Sequence, residues 1–190
     1  MIMKTRESGM PDQNMWEKFF DAEKILTTLG LDKHINDVAE FGCGYGTFTI
    51  PAAKIINGGI YAIDIDPKAI QTTEEKVKSY KLNNVITVLR DFIAEGSGLK
   101  DNSVDYVMLF NILHLENPED LLEEALRILK KGGKLSVIHW NYDPSTPRGP
   151  SMEIRPKPEQ CIEWARDVGF INPNQYDLKP YHYGIVFTKN

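Results

Sequence analysis

Only two cysteines occur in the 190 residues, Cys43 and Cys161. They lie far apart, and neither belongs to a CxxC or Cys/His cluster, so no metal site is expected. Widely spaced free thiols fit a reducing compartment, and the expected location is cytoplasmic. No apolar run approaches the roughly 18 residues that a membrane span needs, so no membrane association is expected. The opening stretch MIMKTRESGMPDQ has no apolar centre, so no secretory leader is expected. A basic surplus is also missing. Lys and Arg number 22 against 27 Asp and Glu, a net charge of −5, which argues against a long nucleic acid as partner. Neither internal repeats nor low-complexity tracts are visible.

What is present is an ordinary composition, 42 % hydrophobic and 26 % charged, in a chain long enough to bury one core. Residues 1–12, with Gly9 and Pro11, read as a loose arm. A helix is predicted over 14–29, where Trp16, Phe19, Phe20, Ile25, Leu26 and Leu29 share one face and Gly30 provides a stop. Strands are then predicted at 37–41, 60–64, 85–89, 104–110 and 135–140. Helices are predicted between them at 46–56, at 67–81 and from Pro118 to the Gly132-Gly133 pair; Pro67 and Pro118 suit a first helical turn. Nearly continuous apolar strands alternating with helices predict a doubly wound α/β sheet, mostly parallel and covered on both faces. Pro144, Pro147, Pro150 and Pro156 make 141–156 a long loop. A helix over 158–168 stops at Gly169, and short strands at 175–178 and 182–188 are predicted to pair antiparallel.

The strongest chemical signal is VAEFGCGYGT at 38–47, where the first strand turns into a helix. Glycines there let the backbone take unusual angles and approach a ligand. A dinucleotide turn would read GxGxxG, with the helix start aimed at a pyrophosphate. Here Gly42, Gly44 and Gly46 give GxGxG, and Glu40 precedes them. A carboxylate repels a pyrophosphate and attracts an ammonium group. The second strand ends in Asp64, 22 residues beyond Gly42, where an acid can accept hydrogen bonds from ribose hydroxyls. A nucleoside carrying an amino acid satisfies both acids. Asp91 and Phe92 follow the third strand: the acid can accept from an adenine amine or cap the next turn, and Ile65 and Phe92 can flank a ring.

These residues resemble the class I S-adenosylmethionine-dependent methyltransferases of small-molecule type. The likeness rests on ExGxGxG at 40–46, on Asp64 and on Asp91. It also rests on the strand 105–110 running into Asn111-Ile112-Leu113-His114, and on the segment LRILKKGGK at 126–134. It covers roughly residues 35–140. The resemblance implies a Rossmann-like, seven-stranded sheet whose last strand runs antiparallel. It implies one domain over 1–190: an arm and helix to 34, a cofactor-binding core at 35–140, and a loop, helix and strand pair at 141–190. S-adenosylmethionine would be the methyl donor and S-adenosylhomocysteine the product. Glu40 would meet the methionine amine directly or through water, Gly42, Gly44 and Gly46, with Cys43 between them, would give backbone approach to the methionine moiety, Asp64 would bind the ribose and Asp91 the adenine. Asn111 would lie near the sulfonium. The absence of an Asn/Asp-Pro-Pro-Tyr run there argues against methylation of a DNA base or glutamine amide.

The expected acceptor is a small molecule, and the expected assembly a monomer or homodimer. His114 is the candidate base, needed only if the acceptor must lose a proton. Trp16, Trp140, Tyr142 and Tyr181 are candidates for the acceptor pocket, as is His139, and Arg148 and Arg155 for binding an acidic acceptor. Structural roles compete for several: Trp16 as a helix anchor, His34 and His182 as packed histidines, Arg148 and Arg155 as surface charges. Lys130, Lys131 and Lys134 read as a solvated helix end. The alternative functions are a non-catalytic S-adenosylmethionine-binding partner or sensor, and a nicotinamide-dependent oxidoreductase.

Overall fold

The computed structural model describes residues 12–190. The predicted arm lies outside the described residues except for Asp12, whose side chain caps the first helix by accepting from Asn14 N at 3.0 Å. The elements run α1 (Gln13–Glu17), α2 (Ala22–Thr28), β1 (Val38–Phe41), α3 (Thr49–Ile55), β2 (Ile60–Asp64), α4 (Pro67–Ser79) and β3 (Val85–Leu89). They continue with α5 (Phe92–Glu95), β4 (Val104–Phe110), α6 (Pro118–Ile128), β5 (Leu129–Trp140), α7 (Pro158–Val168), β6 (Phe170–Leu178) and β7 (His182–Lys189).

All seven strands join one sheet in the order β3-β2-β1-β4-β5-β7-β6. The first five named are parallel, and β7 runs antiparallel to both β5 and β6. The predicted Rossmann-like α/β sheet with an antiparallel last strand is therefore present. From β1 the chain winds outward through β2 to β3, then crosses back to β4 on the other side. That reversal opens a crevice at the carboxyl end of β1, where such sheets take ligands.

Side-chain alternation divides the core between the two faces. Val38, Ile60, Tyr106, Met108 and Ile138 pack with Leu26 of α2, Leu29 just after it, and Ala52 and Ala53 of α3. Ala39, Phe41, Val107, Leu109, Leu135 and Val137 pack with α6 and α7. On α6 the stripe Leu121, Leu122, Ala125 and Ile128 is buried to 1 % exposure or less. Truncating one of its leucines to alanine is expected to cost roughly 2–5 kcal/mol.

Four local predictions need correction. The helix over 14–29 breaks after α1, because Asp21 caps a fresh start by accepting from Lys24 N at 3.3 Å. The helix predicted from 46 begins at Thr49, since Gly42, Gly44 and Gly46 all have positive φ and cannot be its first turn. α6 ends at Ile128, and Lys130, Lys131 and Lys134 belong to β5 instead of a helix end. Around them the register jumps from Val104–Leu129 to Tyr106–Lys134, so Lys130 to Gly133 bulge out while Lys130 pairs with Asp105 at 2.9 Å. Finally β6 starts at Phe170, five residues before the predicted 175, and α5 was not foreseen.

Candidate active site

Glu40 lies in the centre of the sheet, between Ala62 of β2 and Met108 of β4, and is 2 % exposed. Thr49 Oγ1 donates to its Oε2 at 2.5 Å. Burial, opposed by the Thr49 hydrogen bond and helped by the nearby Asp64, pushes the Glu40 carboxyl up to about 8. Asp64, 4 % exposed at the end of β2, is also raised by burial. Its two oxygens accept from Gly44 N at 2.8 Å and Asp66 N at 2.9 Å. The glycine turn between the acids is anchored by Gly42 N donating to Ile63 O at 2.8 Å and by Thr73 Oγ1 donating to Gly44 O at 3.0 Å. At Gly46 an added Cβ would stand 3.1 Å from Thr73 Oγ1. Cys43 is buried in this turn, its thiol pushed up by burial, so it presents no nucleophile.

Beyond β3, Asp91 caps α5, accepting from Ile93 N and Ala94 N at 3.2 and 3.0 Å. Phe92 is half-buried and meets Phe41 edge-on at 5.3 Å, while Ile65 is half-buried just past Asp64. Asn111 follows β4 in the left-handed region at φ 58°. Its backbone N–H donates to Ile138 O at 2.7 Å, but both atoms of its side-chain amide are buried without a partner, as is Thr47 Oγ1. Buried polar atoms are seldom left unpaired, and these flank the crevice above β1 and β4.

A second group surrounds the carboxyl ends of β4 and β5. His114 Nδ1 lies 3.3 Å from Nε2 of the fully buried His139. Trp140 touches His182 (4.2 Å between ring centroids), Phe19 (5.2 Å) and Trp16 (6.5 Å). Phe20 links this set to Phe48, and Phe48 to Phe110. The break after α1 thus turns Phe19 and Phe20 onto the strand ends. On the other side Lys76 Nζ donates to Glu17 at 2.5 Å and to Tyr45 O at 2.6 Å, fastening α1 to the glycine turn.

Two other predicted pocket residues are exposed. Tyr142 is exposed, with Lys157 Nζ 4.7 Å above its ring, and Arg148 is exposed with Nη1 3.6 Å from Met15 Sδ. Arg155 is no surface charge. It is 7 % exposed and donates to the carbonyls of Asn141, Asp143, Arg148 and Pro150 and to Thr146 Oγ1, which shapes the proline-rich loop. Sequence reasoning missed Thr49 and Lys76 as site residues. A hydroxyl nine residues after Glu40 carries no spacing rule, and Lys76 is one of many helix lysines.

The donor set fits an S-adenosylmethionine-like ligand. Two buried acids face a positive-φ glycine cradle, and no basic side chain pairs with Glu40 among the described residues. An ammonium beside Glu40 relieves the cost of its burial, and the Asn111 amide and Thr47 hydroxyl await partners. Among the described residues no cluster of three or more His, Cys, Asp or Glu is placed to hold a metal ion. Nor is any helix among them long and apolar enough to cross a membrane.

Comparison with known proteins agrees. Residues 39–137 match the family described as methyltransferase domain. The chain is 31 % identical over 144 residues to a Sulfurisphaera tokodaii protein assigned as cobalt-precorrin-6B C(15)-methyltransferase (decarboxylating), covering 70 % of this chain and 71 % of that one. It is 36 % identical over 99 residues to the ribosomal protein L11 methyltransferase of Methylococcus capsulatus, spanning 52 % of this chain but only 31 % of that protein. A crystal structure of a SAM-dependent methyltransferase from Aquifex aeolicus superposes with a TM-score of 0.82 at 26 % identity, covering 94 % of both chains. The glycine turn between two buried acids and these likenesses place the chain in the class I S-adenosylmethionine-dependent methyltransferase family.

Proposed function

We propose that this methyltransferase methylates a small-molecule acceptor by in-line displacement, as one domain acting in the cytoplasm as a monomer or homodimer. The observation that carries the cofactor side is the pair of buried acids, Glu40 and Asp64, on either side of the glycine turn. Glu40 holds the methionine amine. Gly42, Gly44 and Gly46 admit the methionine backbone, with Cys43 lining the turn. Asp64 holds the ribose, Asp91 the adenine amine, and Ile65 and Phe92 flank the ring. Asn111 supplies its unpartnered amide beside the sulfonium. When bound, S-adenosylmethionine supplies an already activated methyl group. The chain's residues therefore chiefly align the acceptor and exclude water.

Trp16 and Trp140 wall the acceptor side, with His114 and His139 at its polar end. The net charge of −5 supports a small acceptor over a nucleic acid. The cobalt-precorrin-6B relative, which matches 70 % of the chain, supports it too. The test is calorimetric titration with S-adenosylhomocysteine on the wild type, Asp64→Ala and Asp64→Asn. Saturable binding in the wild type that collapses in both variants is expected. No binding by the wild type sinks the assignment of this site.

A further inference from the structure

The sheet ends in two outer strands, and they are built differently. β6 carries Pro173, Asp177 and a register shift between Ile171 and Asn174. Proline, charge and irregular pairing are the usual means of keeping an edge strand from recruiting another. β3, at the other edge, has none of them. It runs Val-Ile-Thr-Val-Leu and pairs with β2 in unbroken register from Ile60–Val85 to Asp64–Leu89. No strand among the described residues pairs with its outer side. Ile86 and Leu89 on it are 48 % and 58 % exposed.

The hydrogen bonds to β2 show what that edge offers. Ile60 N donates to Asn84 O at 2.9 Å, and Arg90 N donates to Asp64 O at 2.8 Å. Backbone groups along a strand alternate sides. Residues 84, 86, 88 and 90 therefore face β2, and the N–H and C=O of Val85, Thr87 and Leu89 face outward. These positions are spaced evenly about Thr87. Two copies of β3 laid antiparallel about a two-fold axis at Thr87 pair Thr87 with itself and Val85 with Leu89, so that every outward group finds a partner. The same register sets Ile86 against Val88 of the partner subunit on one face, and Leu89 against Val85 of the partner subunit on the other.

Charge selects the same direction. Lys78 and Lys81 precede β3, whereas Arg90, Asp91 and Glu95 follow it with a net negative charge, and Arg90 Nη2 lies 3.5 Å from Glu95. An antiparallel partner brings the basic start of one strand to the acidic end of the other, while a parallel one sets like against like. We propose that a second copy of this chain docks edge to edge on β3, joining the two sheets into one continuous sheet across a two-fold axis at Thr87. Glu74 of α4 accepts from Thr87 Oγ1 at 2.8 Å, so its two copies approach the axis and repel. Standard interfaces take roughly 20–30 residues a side. β3 and its flanks offer fewer, so the dimer parts on dilution. This selects the homodimer among the expected assemblies, and it does not depend on what the cofactor site binds.

The test is sedimentation of the full chain over a concentration series, together with cysteine cross-linking. Facing residues of a hydrogen-bonded antiparallel pair stand about 5.5 Å apart between Cα atoms, within disulfide reach. Thr87→Cys is therefore expected to form a covalent dimer under mild oxidation, and Gln175→Cys on β6 to form none. Cys43 and Cys161 are buried and do not compete. Ile86→Lys, shown to be folded by circular dichroism, is expected to weaken the dimer about tenfold or more, because it sets a lysine on each side of the axis. Glu74→Gln is expected to tighten it. A wild type that stays monomeric into the millimolar range overturns the inference. So does a dimer of undiminished strength in folded Ile86→Lys, or equal cross-linking of Thr87→Cys and Gln175→Cys.

Discussion

Glu40 and Thr49 meet at 2.5 Å inside the sheet, a carboxyl and a hydroxyl with no basic partner among the described residues. The acid is raised to about 8 in the folded chain, whereas in an unfolded chain it keeps its usual value near 4.5. Below about 4.5 it is protonated in both states and costs nothing. Between there and about 8 the unfolded chain has lost the proton that the folded chain still holds, so stability falls as pH rises. The loss is on the order of 3 kcal/mol at neutral pH. Glu40→Gln is thus expected to raise the unfolding midpoint by roughly 10–15 °C at pH 8 and to leave it unchanged near pH 4. The same variant loses S-adenosylhomocysteine binding. Thermal scans at both pH values check the first outcome; an equal shift at both excludes burial of the carboxyl as its cause.

Cofactor binding carries the same proton. The proposed hold of Glu40 on the amine requires it ionised, so binding below about 8 would release a proton from it. Asp64 and Thr49 are the other groups that act on Glu40, and neither brings a positive charge. Affinity for S-adenosylhomocysteine is expected to weaken roughly tenfold for each pH unit between 8 and 6. Calorimetry in two buffers of different ionisation heat would read the released proton. A dissociation constant that stays flat across that range would contradict the assignment of Glu40 to the amine.

Lys76 joins α4 to α1 and to the glycine turn through Glu17 and Tyr45 O. Lys76→Met is expected to keep the fold and to speed hydrogen exchange in 13–20 several-fold, with faster cofactor dissociation. Exchange followed by mass spectrometry checks it. Unchanged protection in that segment would show that the aromatic contacts alone hold α1 down.

The proline-rich loop depends on Gly149 and Arg155. Gly149 has φ 121°, and a Cβ there would stand 2.7 Å from Arg155 Nη2 and 2.9 Å from Trp140 Cγ. Gly149→Ala is expected to cost about 1–3 kcal/mol and to displace the Trp140 indole. Arg155→Lys keeps the charge but loses the fork of donors, and should make 141–150 the first site of proteolysis. Denaturant unfolding and tryptophan fluorescence report on the first variant, and timed digestion on the second.

The parts of the site set by local chemistry were legible in the sequence. Glu40, the alternating glycines and Asp64 fall at strand ends and turns whose positions follow from apolar runs and positive-φ demand. Asp91 was legible as an acid after β3, and the structure shows it capping α5. The break after α1 was not legible, because Trp16, Phe19 and Phe20 have helical spacing either way. Only Trp140, Phe48 and His182, distant in sequence, reveal why the chain turns there. The same holds for Arg155, whose acceptors are backbone carbonyls that leave no trace in composition, and for Lys130, which the pairing of β4 with β5 draws out of a helix end.

The reversal of β7 has a practical consequence. His182 opens this strand among the aromatic residues of the site, and seven residues later Lys189 closes it against Leu126 O and Leu129 O at the opposite rim of the sheet. At about 3.3 Å per residue the two ends are about 23 Å apart. Anything attached after Lys189, whether dye, affinity handle or surface tether, leaves from the rim far from the chemistry. A tether at Lys189 would leave the proposed site facing solution.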